Sequence, residues 1–296
     1  MPEAVFIVNP SAGRFRAAGQ VDWLTSTLPK AWPGAIIRIS EEPGDVARIG
    51  REESAKGRIV IACGGDGTVN ELIRGLAGTH AVFGVLPMGT GNDFAKSVGM
   101  GTDRVEALRR LRSARETPLD LIRYATDARP GWCDNTMGIG FDGWANAHAQ
   151  GIERLSGTLR YLVATLKTAF TFHAVPMRLE LDDTVLEGRF LMCVLCNGTT
   201  EGGNFRVAPM ADNADGWMDV VLIAAASIPK LLFMLPFFLF GNPFRFRNVT
   251  HHRCRRAAIS VGVPVAVHVD GEGIPGNAVT RVDAEVVPGA LRVLRA

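Results

Sequence analysis

The chain has 296 residues, of which 47% are hydrophobic and 21% are charged, and its formal net charge is +2. This length allows a sizeable core and about two domains, and the composition is that of a globular protein, which excludes an intrinsically disordered chain. The net charge is too small to argue for a nucleic-acid partner, and RNA-binding aromatic motifs are not evident.

The amino terminus gives no sign of export. Met1-Pro2-Glu3 carries no basic residue, and the apolar run Ala4-Val5-Phe6-Ile7-Val8 is too short for the core of a signal peptide. The five cysteines are scattered without the spacing of a disulfide framework, which suits a reducing compartment. We therefore expect a cytoplasmic protein.

Apolar strands and amphipathic helices alternate in the first third of the chain. Such alternation indicates βαβ units and a largely parallel sheet, in which ligands bind beyond the carboxyl ends of the strands. The predicted strands are Ala4–Val8, Ala35–Ile39, Arg58–Ala62 and Val82–Leu86, and the predicted helices are Ala17–Leu28, Asp45–Lys56, Thr68–Leu76 and Val105–Leu111.

Three of these four strands end in loops suited to a phosphorylated ligand. The third runs into Gly64-Gly65-Asp66-Gly67-Thr68-Val69-Asn70-Glu71, where glycines allow close backbone approach and the amides of the next helix attract anionic oxygens. The Asp66 carboxylate opposes phosphate unless a metal cation lies between them, which suggests Mg²⁺ and phosphoryl transfer. The first strand ends in Asn9–Gly13 and the fourth in Pro87–Asp93. Any one of these loops alone is equally well explained as a tight turn with a helix cap.

After Leu121 the pattern changes to alternating strands with few helices. We therefore predict an α/β protein of two domains: an N-terminal nucleotide-binding domain with a largely parallel sheet over residues 1–122, and a mostly antiparallel, β-sandwich-like domain over residues 123–283. Two final strands, Ala284–Val287 and Leu291–Leu294, fit either domain, so residues 284–296 are able to complete the first. The other strands are predicted at Trp132–Ile139, Met177–Leu181, Gly188–Leu195, Met218–Ala224, Ala257–Val261 and Val265–Val269, with helices at Asp142–Gly151 and Ser156–Phe172.

One segment of the second domain is almost wholly apolar. Leu231–Phe240 reads Leu-Leu-Phe-Met-Leu-Pro-Phe-Phe-Leu-Phe, and five arginines and two histidines follow it within residues 245–256. The segment is too short to span a membrane as a helix, which needs about 20 residues. Two interpretations stay open: a helix that dips into the membrane interface while the arginines contact anionic headgroups, or a buried core helix beside a solvated basic face. For Tyr161–Phe172 the alternatives are the lining of an acyl-chain pocket and ordinary core packing.

Two carboxylates near the C terminus are candidates for a general base. Asp270 and Glu272 lie two residues apart, which puts both on one face if a strand continues through them. A carboxylate within hydrogen-bond reach of a hydroxyl acceptor can take its proton as a phosphoryl group arrives. The alternative is that Val269-Asp270-Gly271-Glu272 forms an ordinary polar turn between strands.

Six motifs follow one another along nearly the whole chain. They are Asn9-Pro10, Gly64 to Glu71, Gly89 to Ala95, Gly138-Ile139-Gly140-Phe141-Asp142, Asp215-Gly216 and Val269-Asp270-Gly271-Glu272. In this order they resemble the bacterial diacylglycerol kinase and lipid kinase family, which is related to sphingosine and ceramide kinases. The glycine turn alone is less specific, because NAD kinases and phosphofructokinases resemble it there.

The resemblance implies residues that bind ATP and Mg²⁺. ATP would contact the Asn-Pro loop, the hydroxyl that closes the second strand, the glycine turn and the Gly-Thr loop, with Ser40 where a threonine is more common. Mg²⁺ would be bound by Asp215 and by the backbone carbonyls of Met218 and Val220. The base would be Glu272 or Asp270, with Asp66 organising Mg²⁺ or sharing the proton. The nucleotide-binding set is therefore Asn9, Ser40, Gly64, Gly65, Asp66, Gly67, Thr68, Val69, Asn70, Gly89 and Thr90.

The combined expectation is an ATP- and Mg²⁺-dependent lipid kinase that phosphorylates the hydroxyl of diacylglycerol or a related lipid. It would act from the cytoplasm at the inner face of the membrane, with the second domain binding the lipid and with no nucleic-acid partner; a homodimer is compatible with these expectations. One alternative is an NAD kinase, against which stand the Gly89 to Ala95 loop and the apolar segment at Leu231. The other is a lipid-binding protein without turnover, although Asp66, Asp270 and Glu272 are all present.

Overall fold

The computed structural model describes residues 3–10, 17–152, 155, 157–201, 205–240, 242–276 and 279–296. Backbone contacts divide the chain into two compact units. The first comprises Met1–Asp120 and Pro288–Ala296, and the second comprises Leu121–Val287. Two strands, Arg115–Thr126 and Val279–Arg295, run across the boundaries between these segments.

The first unit is a parallel sheet with helices. Its elements are β1 (Ala4–Val8), α1 (Ala17–Ala31), β2 (Ile36–Ile39), α2 (Asp45–Ser54), β3 (Ile59–Gly64), α3 (Asp66–Leu76), β4 (Val82–Pro87), α4 (Asp93–Ser97) and α5 (Arg104–Ser113). β1 pairs in parallel with β2 and β3, and β3 pairs in parallel with β4. All five residues of β1 are buried, as expected for a central strand covered on both faces. The predicted α/β architecture with a largely parallel sheet is confirmed.

Two helices of this unit differ from the prediction for local reasons. α3 begins at Asp66 rather than Thr68, because the carbonyl of Gly65 accepts hydrogen bonds from the N–H groups of Thr68 and Val69 at 3.0 and 3.1 Å. Asp66 and Gly67 therefore belong to the first helical turn. α4 was not predicted, because its five residues are too few to show helical periodicity.

The second unit is mostly antiparallel and β-sandwich-like, as predicted. Its long strand β9 pairs with β8 through its first half and with β7 through its second half, while β10 pairs with the second half along the other edge. The elements are β5 (Arg115–Thr126), β6 (Pro130–Cys133), β7 (Thr136–Gly140), α6 (Phe141–Gln150), α7 (Gly157–Thr171), β8 (Val175–Leu181), β9 (Thr184–Cys196), β10 (Met218–Ala224), α8 (Ile228–Phe240), a 3₁₀ turn (Pro243–Arg245), β11 (Val249–Cys254), β12 (Arg256–Val265), β13 (Val267–Val269), β14 (Glu272–Gly273) and β15 (Val279–Arg295).

Two hydrophobic cores lie on opposite faces of β9 and β10. Because side chains alternate along a strand, Cys193 and Leu195 point into a core shared with the other strands. Val194 and Cys196 point into a second core, to which α6, α7 and α8 contribute. Both faces of these strands are therefore buried, which explains their nearly continuous apolar sequence.

The structure corrects two strand predictions. Trp132–Ile139 is not one strand but two, β6 and β7, separated at Asp134 and Asn135, whose N–H groups bind the Asp270 carboxylate described below. The two predicted final strands are one continuous strand, β15. It pairs with β12 in the second unit and, through Arg292 and Val293, in parallel with β4 in the first.

The apolar segment Leu231–Phe240 lies in α8, which is buried on one side only. Met234 and Phe238 belong to the second core, whereas Phe233 is 65% exposed and Phe240 is 85% exposed. The helix therefore combines a core-packed side with an exposed apolar side, and its contact with a membrane stays a prediction. Across the described residues we find no helix with both the length and the apolar character required to cross a membrane.

Candidate functional site

Asn9 links two of the three predicted loops. The loops follow β1, β3 and β4, which are adjacent parallel strands, so all three lie at one edge of the sheet. Asn9 Nδ2 donates to Thr68 Oγ1 at 3.2 Å, and the Asn9 N–H donates to the carbonyl of Cys63 at 3.2 Å. The first loop is thereby tied to the glycine turn; its residues Ser11 to Gly13 lie outside the described residues.

The glycine turn and the loop at Gly89 pack backbone against backbone. A Cβ on Gly89 would lie 2.4 Å from the Cα of Gly65, so a side chain cannot be added there without moving the main chain. The N–H of Met88 donates to the carbonyl of Gly64 at 2.8 Å. The Asn92 side chain closes the loop by accepting from the N–H of Gly89 and donating to its carbonyl, both at 3.0 Å. Packing therefore requires glycine at position 89, whereas a Cβ on Gly65 would lie 3.1 Å from the Cα of Gly89 and would need only a small shift.

Asp66 is a half-buried carboxylate placed between these two loops. Its Oδ1 accepts the N–H of Phe94 at 3.1 Å, and its Oδ2 lies 2.8 Å from the position that a Cβ on Gly91 would occupy. Burial and the negative charge of Asp93 raise the pKa of Asp66. Asp93 is itself 2.6 Å from Lys96 Nζ. Two neighbouring carboxylates at a loop edge offer the oxygen ligands that Mg²⁺ prefers.

The other predicted nucleotide-binding residues divide into exposed and buried groups. Gly67 and Thr90 are exposed, and outside the backbone of its own helical turn no described atom lies within 4 Å of a Cβ built on Gly67. A backbone without a side chain, at the first turn of a helix and facing open space, is suited to close approach by a phosphate. Ser40 is buried, and its hydroxyl donates to the carbonyl of Val8 at 3.3 Å, where it supports the β1–β2 pairing. The other buried members are Gly64, Thr68, Val69 and Asn70.

The proposed metal ligands of the second unit already have protein partners. Asp215 is exposed, forms an ion pair with Arg253 and accepts the N–H of Trp217 at 3.0 Å. Met218 and Val220 are fully buried in β10, which is paired with β9 on one side and with β11 on the other. An arginine thus occupies the position of a cation beside Asp215, and Val220 lies inside a strand that is paired on both sides. This set of Mg²⁺ ligands stays a prediction, and the function proposed for the protein does not depend on it.

Asp270 lies in a tight turn and not on a continuing strand. β13 and β14 form a hairpin whose two-residue loop is Asp270-Gly271, with φ angles of 52° and 80°. Asp-Gly is the pair favoured for such a turn, since both residues need positive φ. Asp270 and Glu272 therefore do not share a strand face, because the strand on which that expectation depended ends at Val269.

The Asp270 carboxylate is held by backbone groups of the β6–β7 connection. Oδ1 accepts the N–H groups of Asn135 and Thr136 at 2.9 and 3.1 Å, and Oδ2 accepts that of Asp134 at 3.2 Å. The thiol of Cys133 adds a contact of 3.2 Å to Oδ1. Burial raises the pKa of Asp270, and these donors oppose that shift. A carboxylate bound by three amides is suited to holding the hairpin in place. Glu272, which opposes Val269 across the hairpin, is half-buried at the start of β14.

A buried polar cluster next to this hairpin was not predicted. His268 Nε2 lies 2.7 Å from Glu201 Oε1 and 3.0 Å from Asp142 Oδ2, and Tyr161 donates its hydroxyl to Glu201 Oε1 at 3.0 Å. Burial disfavours a charged imidazole, but Glu201 and Asp142 outweigh it and hold the pKa of His268 well above its usual range. Burial and Asp142 raise the pKa of Glu201 to about 7. The cluster therefore brings an imidazole and two carboxyl groups into mutual contact in a buried site.

Gly138 is the residue from which part of this cluster could have been predicted. A Cβ at this position would lie 2.3 Å from both His268 Nε2 and Asp142 Oδ2, so only glycine allows the pair to form. A glycine inside a strand often marks such a close approach, and Gly138 and Asp142 belong to one of the six motifs. Glu201 carries no comparable signal, because its role depends on partners distant in the chain.

An apolar cavity of the second unit ends at the same cluster. Its volume is about 80 Å³, and it opens to solvent on one side. α7 and α8 contribute walls through Tyr161, Ala169, Leu231 and Phe238, and Asp142 and Glu201 provide its polar end. The Tyr161–Phe172 helix thus lines a cavity as well as packing on the core.

Comparison with known protein families gives a match to each part of the chain. Residues 3–124 match the family described as the diacylglycerol kinase catalytic domain. Residues 135–295 match the family described as the YegS C-terminal NAD kinase beta sandwich-like domain. The two matches together span nearly all of the chain.

Individual relatives agree with these matches. A diacylglycerol kinase of Mycobacterium tuberculosis (strain CDC 1551 / Oshkosh) is 30% identical over 96% of this chain and 98% of its own length. A protein named "Probable lipid kinase YegS-like" from Xanthomonas oryzae pv. oryzae (strain MAFF 311018) is 31% identical over 67% of each chain. The crystal structure of a diacylglycerol kinase from Bacillus anthracis str. Sterne has a TM-score of 0.76 over 100% of this chain and 97% of that chain. At 21% identity this last likeness shows the fold.

Proposed function

Because this chain belongs to the diacylglycerol kinase family and is a lipid kinase, we propose that it transfers the γ-phosphoryl group of ATP to the hydroxyl of diacylglycerol or a related long-chain lipid. The observation that carries the proposal is the open backbone edge at Gly67, which follows Asp66 in the first turn of α3. A helix N-terminus, a bare glycine backbone and a carboxylate are together suited to a phosphate chain with its cation.

In the first unit, ATP would lie along the edge formed by the three loops. Gly67 and Thr90 are the exposed members of the predicted set and would contact it directly. Asn9 and Asn92 would act indirectly, since their side chains hold the loops in place. Mg²⁺ would be held at Asp66 beside Asp93, where it would neutralise charge that develops on the transferring phosphoryl group.

In the second unit, we assign the base to Glu272 and a positioning role to Asp270. Both oxygens of the Asp270 carboxylate already accept hydrogen bonds from backbone amides, and these contacts hold the hairpin in place. Glu272 follows directly after the turn that these contacts hold in place. Its carboxylate would take the proton of the lipid hydroxyl as the phosphoryl group arrives.

The lipid's hydrocarbon chain would occupy the apolar cavity between α7, α8 and the sheet of the second unit. The cavity walls and the exposed apolar residues belong to the same two helices: Phe170 of α7 is 62% exposed, and Phe233 and Phe240 of α8 are largely exposed. Such helices would let a lipid pass from a bilayer into the protein without crossing water. Arg245, whose guanidinium lies 5.0 Å from the ring of Phe237, would contact anionic headgroups.

A phosphorylation assay with labelled ATP tests the function. The panel contains diacylglycerol, other long-chain alcohols dispersed in mixed micelles, and NAD. We expect labelled lipid and unlabelled NAD. Labelling of NAD alone would show an NAD kinase, and lipid binding without any labelled product would show a non-catalytic lipid-binding protein.

Two glycine variants should separate ligand contact from packing. Gly67→Ala is expected to raise the KM for ATP several-fold while leaving stability equal or higher by about 0.5–1 kcal/mol, because alanine favours a helix and its Cβ would enter the space proposed for phosphate. Gly89→Ala is expected to lose about 1–3 kcal/mol of stability, because its Cβ overlaps the Gly65 backbone. Chemical unfolding measures the stability of each variant, and steady-state kinetics measure its KM for ATP. An unchanged KM in Gly67→Ala would remove Gly67 from the nucleotide site.

The exposed face of α8 should determine the affinity of the protein for membranes. Phe240→Glu is expected to lower the affinity for vesicles that contain anionic lipid by about tenfold, because it removes a large apolar side chain from the interface and adds a repelled charge. Val185→Glu is the matched control, since Val185 is also an exposed apolar residue, 52% exposed, but lies on β9. Vesicle sedimentation measures both. Equal losses in the two variants would argue against α8 as the contact.

A further inference from the structure

The two carboxylate oxygens of Glu201 have different surroundings. Oε1 accepts the Tyr161 hydroxyl at 3.0 Å and lies 2.7 Å from His268 Nε2. Oε2 is buried, and no described residue offers it a hydrogen bond. Glu201 as a whole is only 4% exposed. A buried acceptor without a partner is costly and is uncommon in folded proteins.

This oxygen belongs to the polar end of the apolar cavity. Glu201, Asp142 and Tyr161 are the polar residues of that end, and aliphatic and aromatic side chains such as Leu191, Leu235 and Phe205 line the rest. A ligand that fills the cavity with hydrocarbon therefore meets a hydrogen-bond acceptor where the hydrocarbon ends. The complementary ligand carries a hydrogen-bond donor at that point.

Glu201 is also connected to the hairpin that carries the proposed base. His268 lies between them: its Nε2 faces Glu201, and its Nδ1 accepts the N–H of Gly271 at 3.3 Å. Asn146 of α6 fixes the same turn by donating to the carbonyl of Gly271 at 2.8 Å. A lipid group bound at Glu201 is thus one side chain away from the turn that precedes Glu272, so the bound donor and the reacting hydroxyl belong to neighbouring parts of the lipid headgroup.

We infer that Glu201 selects acceptor lipids that carry a second hydrogen-bond donor beside the hydroxyl that is phosphorylated. The inference rests on the proposed lipid kinase function and specifies its acceptor class. A monoacylglycerol supplies such a donor as a second hydroxyl, and a long-chain amino alcohol supplies it as an ammonium group. Diacylglycerol lacks one, because its only hydroxyl is the one that reacts and its ester groups are acceptors only.

Glu201→Gln tests the inference with a change at one atom. The glutamine Oε1 can still accept from Tyr161 and His268, whereas its Nε2 replaces the unpartnered oxygen by a donor. A lipid donor then meets another donor. Glu187→Gln is the matched control, because Glu187 is exposed on β9 and pairs only with surface Arg178 among the contacts described.

The measurement is kcat/KM with labelled ATP for diacylglycerol, monoacylglycerol and a long-chain amino alcohol of equal acyl length. The wild type should prefer at least one of the two-donor lipids over diacylglycerol by about tenfold or more, the effect of one charge-assisted hydrogen bond. Glu201→Gln should abolish that preference through KM, and Glu187→Gln should match the wild type. Which of the two lipids is preferred identifies the donor as hydroxyl or ammonium.

Two outcomes overturn the inference. The first is a wild-type preference for diacylglycerol over both two-donor lipids, which needs no variant and therefore holds even if Glu201→Gln fails to fold. The second is an unchanged preference in a folded Glu201→Gln. In both cases lipids are still phosphorylated and the proposed function stands. If no lipid is phosphorylated by the wild type, the proposed function itself fails, so the two failures are distinguishable.

Discussion

Replacement of Glu272 by glutamine should lower kcat for lipid phosphorylation by about 10²- to 10⁴-fold, the usual contribution of a general base. Glutamine keeps the size of the side chain and loses the ability to accept the lipid proton. The KM for ATP should not change, since the residues proposed to bind the nucleotide belong to the first unit. The variant should remain folded, so the loss of turnover is not a loss of structure. Steady-state kinetics and thermal unfolding measure these effects.

The neighbouring variant Asp270→Asn should behave differently. One oxygen of the Asp270 carboxylate becomes an NH₂ group that faces the N–H of Asp134, so one buried donor loses its acceptor at a cost of about 1–3 kcal/mol. Turnover should fall together with stability, because the hairpin is no longer held. A fully stable Asp270→Asn without turnover, together with an active Glu272→Gln, would reverse the two assignments.

The architecture could be predicted from the sequence because periodicity is a local property. Ala4 to Val8 is apolar at every position and is a central strand, and Met218 to Ala224 is found within its predicted bounds. The order of motifs placed the glycine turn and the loop at Gly89 on one sheet edge. That position 89 needs glycine because it touches the backbone of Gly65 could not be predicted, since the contact joins residues 24 positions apart.

The site in the second unit was harder to predict because its geometry depends on turns and distant partners. The Asp270-Gly271 pair is typical of a two-residue hairpin turn. The two-residue spacing of Asp270 and Glu272 was instead interpreted as that of a continuing strand. The break at Asp134 and Asn135 exists because their amides bind a carboxylate that lies more than a hundred residues later in the chain. Glu201 is buried, with only one of its two carboxylate oxygens hydrogen-bonded, because α7, β13 and the cavity walls pack around it.

Asp66→Asn should lower kcat/KM for ATP by about 10²-fold or more and at the same time leave the unliganded protein at least as stable at neutral pH. The loss of activity follows if Asp66 holds Mg²⁺ or shares the lipid proton. The stability follows from the raised pKa of Asp66, whose causes are burial and then Asp93. A carboxyl group whose pKa is raised on folding favours the folded state most below its ordinary value, and that contribution is lost as pH rises through the folded pKa. Asparagine does not titrate, so the stability that Asp66→Asn gains over the wild type should be present at neutral pH. This gain should vanish at a pH below 3.8.

Unfolding free energies at neutral and acidic pH, with ATP kinetics in parallel, therefore distinguish a functional carboxylate from a structural one. If Asp66 served mainly to cap the loop through the N–H of Phe94, the asparagine variant would lose stability at neutral pH and keep its turnover. Asp22→Asn, at an exposed position of α1, controls for the removal of a charge and should change neither quantity. A more stable and inactive Asp66→Asn would show that the protein accepts a strained carboxylate at this position because catalysis requires its charge.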